Sequence, residues 1–121
     1  IAYTGTHDND TTVGWFNSQA GEGSTRSQSE INAEKEFALR YLHCDSSHIH
    51  LGMMRAIWSS VACIAIAPVQ DMLGLSASAR MNTPGIASGN WTWRCERSWL
   101  TEDVADSMRG LTEAFGRCSE M

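Results

Sequence analysis

Ala62-Cys63-Ile64-Ala65-Ile66-Ala67-Pro68 is the stretch whose reading decides the fold. Six apolar residues run without alternation, and a proline stops them. A short unbroken apolar run is the pattern of a strand buried on both faces of a parallel sheet. Proline has no N–H to give to a ladder, so the strand ends before it. Ile1-Ala2-Tyr3 reads as the end of another buried strand. Between these runs the apolar period changes. Residues 11–18 form a short helix with Thr11 or Asp10 capping its start. Residues 30–42 form a longer one. Ser27 and Glu30 have capping-box spacing, Ile31, Phe37, Ala38, Tyr41 and Leu42 mark one apolar side, and Glu36 faces Arg40 at i,i+4. Residues 51–61 are helical again, with Leu51, Met54, Trp58 and Val61 on one stripe. Strand, helices, strand is a βαβ unit. It predicts an α/β fold in which the loops after the two strands share one end of the sheet.

Outward from this unit the chain is simpler. Residues 19–29, rich in Gly, Ser and Gln, form a surface loop, and residues 43–50 form a polar connection. Residues 102–115 make a final helix. Thr101 caps it, Glu102 and Asp103 complement its N-terminal dipole, Val104, Met108, Leu111 and Phe115 line one face, and Gly116 suits the C′ position. No internal repeat is present.

Composition bounds the function. A length of 121 residues allows one small domain at most. With 42% apolar and 19% charged residues, the chain is globular material. The net charge of −5 and the absence of any Lys/Arg run argue against nucleic acid, whose phosphates demand a basic face. They fit a neutral substrate. Cys44, Cys63, Cys95 and Cys118 form no CxxC pair, so zinc-ribbon and thioredoxin readings fail on spacing. Cys63 is expected to pack as a small hydrophobe, and reduced thiols in a cytosolic or plastid compartment are favoured over a disulfide framework. The apolar stretch 61–69 is too short to span a bilayer, so no membrane partner is expected. The chain opens at Ile1 with a motif three residues later, which points to the C-terminal piece of a longer protein with no separate second domain.

Two segments carry the chemistry. The first is Tyr3-Thr4-Gly5-Thr6-His7-Asp8-Asn9-Asp10-Thr11-Thr12-Val13-Gly14-Trp15-Phe16. His7, Asp8, Asn9 and Asp10 can bind hydroxyls, and Trp15 and Phe16 follow. Carboxylates beside aromatic rings suit carbohydrate, because carboxylates accept from hydroxyls and rings stack on sugar C–H faces. Taken alone, Asp8-Asn9-Asp10 reads more readily as an Asx-turn that caps the next helix. The second segment runs from Val69-Gln70-Asp71-Met72-Leu73-Gly74-Leu75 through Ala79-Arg80-Met81-Asn82-Thr83-Pro84-Gly85 to Gly89-Asn90-Trp91-Thr92-Trp93-Arg94. Its Pro and Gly are turn punctuation, and Trp91 and Trp93 read as seals on the floor of the fold.

In order and content these two segments resemble the signatures of the 4-alpha-glucanotransferases, also called amylomaltases or disproportionating enzymes. The resemblance covers nearly the whole chain and about the last quarter of such an enzyme. It implies the C-terminal part of a (β/α)8 TIM barrel, about its last two strands with their helices and loops, with the final helix on the outside. It implies a retaining enzyme that transfers a segment of an alpha-1,4-glucan to the 4-position of glucose or another glucan. Maltooligosaccharides or starch-type glucans are the implied substrates, and no cofactor or metal is implied. By resemblance Asp8 is the third catalytic carboxylate, His7 contacts the same sugar ring, and Asn82 is a further sugar contact. Arg80 and Asn90 hold the second loop in shape, and Asp10 caps or orients the first. Many relatives carry an acidic residue where this chain has Ser78, so that position receives no role. The nucleophilic Asp and the acid/base Glu of the family have no counterpart here, so the isolated chain is expected to be inactive. An alpha-glucan hydrolase of the same clan and a non-catalytic glucan-binding module using the five Trp are the rival readings.

His43, Cys44, Asp45, His48 and His50 invite a metal reading. The stretch lacks the second paired ligand set that a tetrahedral site requires, and a solvated helix–helix connection is preferred.

Overall fold

In the computed structural model, which describes residues 1–21 and 25–118, two strands pair in parallel. β1 (Ala2–Tyr3) sets Ala2 opposite Ala65 and Tyr3 opposite Ile66 of β2 (Ala65–Ile66). Backbone bonds from Ala2 N–H to the Ile64 carbonyl (2.8 Å) and from Thr4 N–H to the Ile66 carbonyl (3.3 Å) extend the ladder. Regular pairing is shorter than the six-residue run expected at 62–67, because each strand has a single partner among the described residues. Nor is the run buried on both faces: Cys63, Ile64 and Ile66 are exposed, as are Ile1 and Tyr3. Both strands thus leave one edge without a described partner.

Three helices connect the strands. α1 (Thr12–Asn17) starts at Thr11, whose hydroxyl accepts from Gly14 N–H at 2.9 Å. α2 (Gln28–Leu42) starts two residues before the expected Glu30. Ser27 is its cap, and the capping box closes from both sides: Glu30 N–H donates to Ser27 Oγ, and Ser27 N–H donates to Glu30 Oε2. Only Ile31 of the expected apolar side is buried. Phe37 and Tyr41 point outward and stack on each other, 6.0 Å between centroids. The expected Glu36–Arg40 pair does not form among the described residues; Arg26 meets Glu34 at 2.7 Å instead. Of the surface loop expected at 19–29, residues 22–24 lie outside the described residues, and 28–29 already belong to α2.

α3 (Ile49–Trp58) begins two residues earlier than the stripe predicted and stops three residues sooner. Ile49, Met54 and Trp58 are buried, whereas Leu51 and Val61 are exposed. The helix ends because Ser59 and Ser60 turn their hydroxyls back onto the Ala56 and Ile57 carbonyls. α3 is the hub, packing on α1, α2, β2 and the elements that follow. Gly52 allows the close approach of α2's end: a Cβ there would lie 2.7 Å from Cys44 Sγ.

After β2 comes α4 (Val69–Met72), then an irregular segment, then α5 (Glu102–Ala114). Thr101 caps α5 through Val104 N–H. Gly116, at φ +62°, sends its N–H to Glu113, while Arg117 N–H reaches Thr112, which together form a Schellman ending. α5 docks on the end of α3: Trp58 Nε1 donates to Thr112 Oγ1 at 3.2 Å, and the Arg117 guanidinium donates to the Trp58 and Ser60 carbonyls.

Candidate active site

The loops that follow β1 and β2 meet at one end of the sheet. In the first loop, Asn9 Oδ1 accepts from Thr6 N–H at 2.8 Å and from the Thr6 hydroxyl at 3.1 Å. Asp10 Oδ1 accepts from Thr11 N–H at 2.7 Å, and its carboxylate lies over Gly14, where a Cβ would come within 2.3 Å of it. Asn9 and Asp10 therefore use their side chains on the loop's own backbone, but neither bonds two residues ahead as an Asx-turn would, and the cap of α1 is Thr11. Asp8 is left out of these local bonds, half exposed, with its side chain turned toward the second loop.

There Asn82 Nδ2 donates to Asp8 Oδ1 at 2.7 Å. Asn82 N–H also donates to the His7 carbonyl at 3.1 Å. Arg80 ties the same two loops through carbonyls, with Nη2 donating to Asp8 O at 2.7 Å and Nε to Asn82 O at 2.8 Å. His7 Nε2 stands 3.3 Å from Asp8 Oδ1, and its ring lies 5.0 Å from that of Trp91. Asp8 Oδ2 accepts no hydrogen bond among the described residues, so one oxygen of the carboxylate is held and the other is open. Asn90 shapes the second loop from within: its Oδ1 accepts from Thr83 N–H, and its Nδ2 donates to the Thr83 and Ile86 carbonyls.

The structure brings His7, Asp8 and Asn82 together and gives Arg80 and Asn90 the shaping contacts expected of them. Two residues stand out that sequence reasoning missed. Trp91, read as a seal, is half exposed, carries φ +62° and walls a cleft of about 190 Å³ with Thr6, His7, Arg80 and Met81. A left-handed backbone is uncommon for a large side chain and marks a constrained position. Asp71 is buried, with Oδ2 accepting from Thr4 Oγ1 at 2.6 Å and Oδ1 from Thr12 N–H at 2.8 Å. Its place within the second motif segment was the one signal for it in the sequence.

The residues considered for metal do not converge among the described residues. Asp45 caps a 3₁₀ turn (Ser46–His48), and hydrogen bonds from Ser47, then His48, hold its carboxyl down to about 2. Burial raises the Cys44 thiol beneath Gly52, with the Asp45 charge adding to it. His50 packs its ring against Gly74, and burial lowers its pKa, with His48 as a second cause and Asp71 opposing.

Side chains gathered on loops after parallel strands are where α/β proteins place their ligand sites. Residues 1–101 match the family model described as 4-alpha-glucanotransferase. The chain is 43% identical over 118 residues to the 4-alpha-glucanotransferase of Synechocystis sp., covering 97% of this chain and 21% of that protein. It is 38% identical over 121 residues to the chloroplastic/amyloplastic 4-alpha-glucanotransferase of Solanum tuberosum, covering 97% and 19%. An amylomaltase from Streptococcus agalactiae, solved in complex with acarbose, superposes with a TM-score of 0.80 at 31% identity, covering 98% of this chain and 22% of that one. The chain belongs to the 4-alpha-glucanotransferase family. It spans about a fifth of the length of the curated relatives it matches.

Proposed function

We propose that these residues are the C-terminal part of a (β/α)8 barrel and that the whole protein is a retaining 4-alpha-glucanotransferase. The observation that carries this reading is the 2.7 Å bond from Asn82 to Asp8, which joins one residue from each motif loop. Loops after barrel strands form the catalytic face. The free strand edges and the exposed Ile1, Ile64 and Ile66 suit neighbouring strands and helices of a closed barrel. The substrate class is an alpha-1,4-glucan, a maltooligosaccharide or starch chain, in a cytoplasmic enzyme or a plastid one in a plant or alga.

Retaining transfer needs a nucleophilic carboxylate and an acid/base carboxylate, and both belong to barrel strands outside these 121 residues. Asp8 supplies neither. Asn82 fixes one of its oxygens, and the other accepts from hydroxyls of the sugar at the cleavage subsite. As the ring flattens toward the oxocarbenium-like transition state those hydroxyls move, and a fixed carboxylate that bonds them best in the distorted shape lowers the barrel enzyme's barrier selectively. His7 contacts the same ring, and Asn82 positions the carboxylate while donating to the glucan. A hydrolase would use the same residues with water as acceptor. Maltotriose separates the two, since transfer yields glucose and longer glucans while hydrolysis only raises reducing ends. A binding module would bind glucans as the isolated chain.

The test compares Asp8→Asn with Asp10→Asn in the full-length enzyme on maltotriose. Asp8→Asn removes an interaction worth ~3–5 kcal/mol in the transition state and lowers kcat roughly 10²–10⁴-fold. Melting temperature should hold, because the Asp8 side chain is half exposed and not in the core. Asp10→Asn should be mild, since an amide oxygen also accepts from Thr11 N–H. A dead Asp10→Asn beside an active Asp8→Asn refutes the residue assignment.

A further inference from the structure

Asp71 is the one charged residue fully buried among the described residues, 2% exposed, and none of the ion pairs there includes it. Burying a carboxylate without a cation is costly unless its lone pairs are filled. Both oxygens are filled here, and the choice of partners is informative. Thr4 is the first residue past β1, and Thr12 is the first residue of α1. These two positions bracket the loop that carries His7 and Asp8. The bonds inside that loop, made by Asn9, Asp10 and Thr11, hold its shape but do not say where it stands. Its placement against the β2 side comes from Arg80 and Asn82 near its tip, from the Thr4 N–H bond to Ile66 where it leaves β1, and from Asp71, which alone reaches both ends of it.

We infer that Asp71 is a positioning residue, gripping both ends of the His7-Asp8 loop and thereby aiming the Asp8 carboxylate. The inference rests on the role proposed for Asp8. It goes beyond that role by naming the group that sets the aim, 67 residues from Thr4 in sequence.

The two bonds differ in a way that makes the inference testable. Thr12 N–H can only donate, whereas the Thr4 hydroxyl can donate or accept. Asp71→Asn can therefore keep both contacts, with Oδ1 accepting from Thr12 and Nδ2 donating to Thr4. Asp71→Ala keeps neither. Thr4→Val removes one bond and leaves the carboxylate in place.

The experiment measures kcat, KM and melting temperature for these three variants in the full-length enzyme on maltotriose, each in the wild-type and the Asp8→Asn background. A misplaced site of this kind costs about 10–100-fold, so Asp71→Ala should lower kcat by that factor, with little change in KM. Asp71→Asn should stay within about threefold of wild type, since both bonds survive. In the Asp8→Asn background the Asp71→Ala loss should shrink to about twofold, because groups that act through one another do not add. A purely structural carboxylate predicts instead that the loss multiplies in full. That result, or an Asp71→Ala enzyme within about twofold of wild-type kcat, overturns the inference. If Asp71→Ala does not fold, Thr4→Val decides. A drop of severalfold in kcat that vanishes beside Asp8→Asn supports the inference, and an unchanged kcat overturns it. Asp8→Asn alone reports on the underlying reading. If it keeps its rate, both fail; if it is slow and the Asp71 variants are fast, only the positioning role fails.

Discussion

The two sides of this small sheet reverse the usual placement of residues. At the loop end polar groups are buried: Thr11, Thr12, Gln70 and Asp71. Along the strands apolar groups are exposed: Ile1, Tyr3, Ile64 and Ile66, with Val61 at 105%. Hydrogen bonds explain the first half. Asp71 serves Thr4 and Thr12, Gln70 Nε2 donates to the Ala79 carbonyl at 3.1 Å, and Arg80 and Asn82 reach Asp8 across more than seventy residues. Apart from the Thr12 hydroxyl, which is buried without a partner among the described residues, the loop end is thus satisfied from within the chain. The flanks are not, because strands cover their apolar faces with neighbours. The contrast teaches that the pairing of the two loops around Asp8 is more self-contained than the scaffold holding it.

The largest effect that tests this contrast is the loss of the scaffold. Expressed alone, the 121 residues should give no cooperative melt and no disproportionation of maltotriose, since exposed strand edges and apolar flanks favour association over a unique fold. Calorimetry and glucose release measure both. A sharp transition together with transfer activity would show that the flanks need no partner.

A smaller effect probes the self-contained half. Asn82→Ala removes a hydrogen bond to a carboxylate, worth about 1.5–3 kcal/mol, and should lower kcat about 10–100-fold. Melting temperature should stay nearly constant, because Asn82 is only half-buried and its backbone bond to His7 survives. A large loss of stability with intact kcat would make Asn82 a scaffold residue and blur the contrast.

Legibility in the sequence follows the range of each interaction. The caps at Thr11, Ser27 and Thr101 and the glycine ending at Gly116 depend on partners three to five residues away, and they form where the sequence predicts. The parallel pairing is legible from two apolar runs, but its length is not, because ladder length depends on partners. The side of α2 that faces inward is misjudged because Phe37 and Tyr41 satisfy a helical stripe while stacking on each other in solvent. At the site, local chemistry explains Asn9 and Asp10. Only resemblance points to His7, Asp8 and Asn82. Asp71 and Trp91 escape both routes, since the partners of Asp71 lie 67 and 59 residues away and nothing local marks the left-handed backbone at Trp91.

The smallest expected effect lies on the solvated side, where the Asp45 carboxylate accepts bonds much like those of Asp71. Ser47 Oγ donates at 2.5 Å and Ser47 N–H at 2.9 Å, and His48 Nδ1 lies 2.9 Å away. These bonds depress its pKa from 3.8 to about 2, with Ser47 the larger cause. A depressed folded value means that the contribution to stability is present above 3.8 and is lost as pH falls toward about 2. At neutral pH it is therefore fully present, yet water competes for every partner of an exposed group, so it should be worth little. Carbon-detected titration of labelled full-length enzyme should show Ser47→Ala raising the Asp45 midpoint more than His48→Ala does. Neither substitution should move the neutral-pH melting temperature by more than about 2 °C, as expected of surface changes. A drop in melting temperature comparable to that of Asp71→Ala would mean that burial is not what separates the two carboxylates.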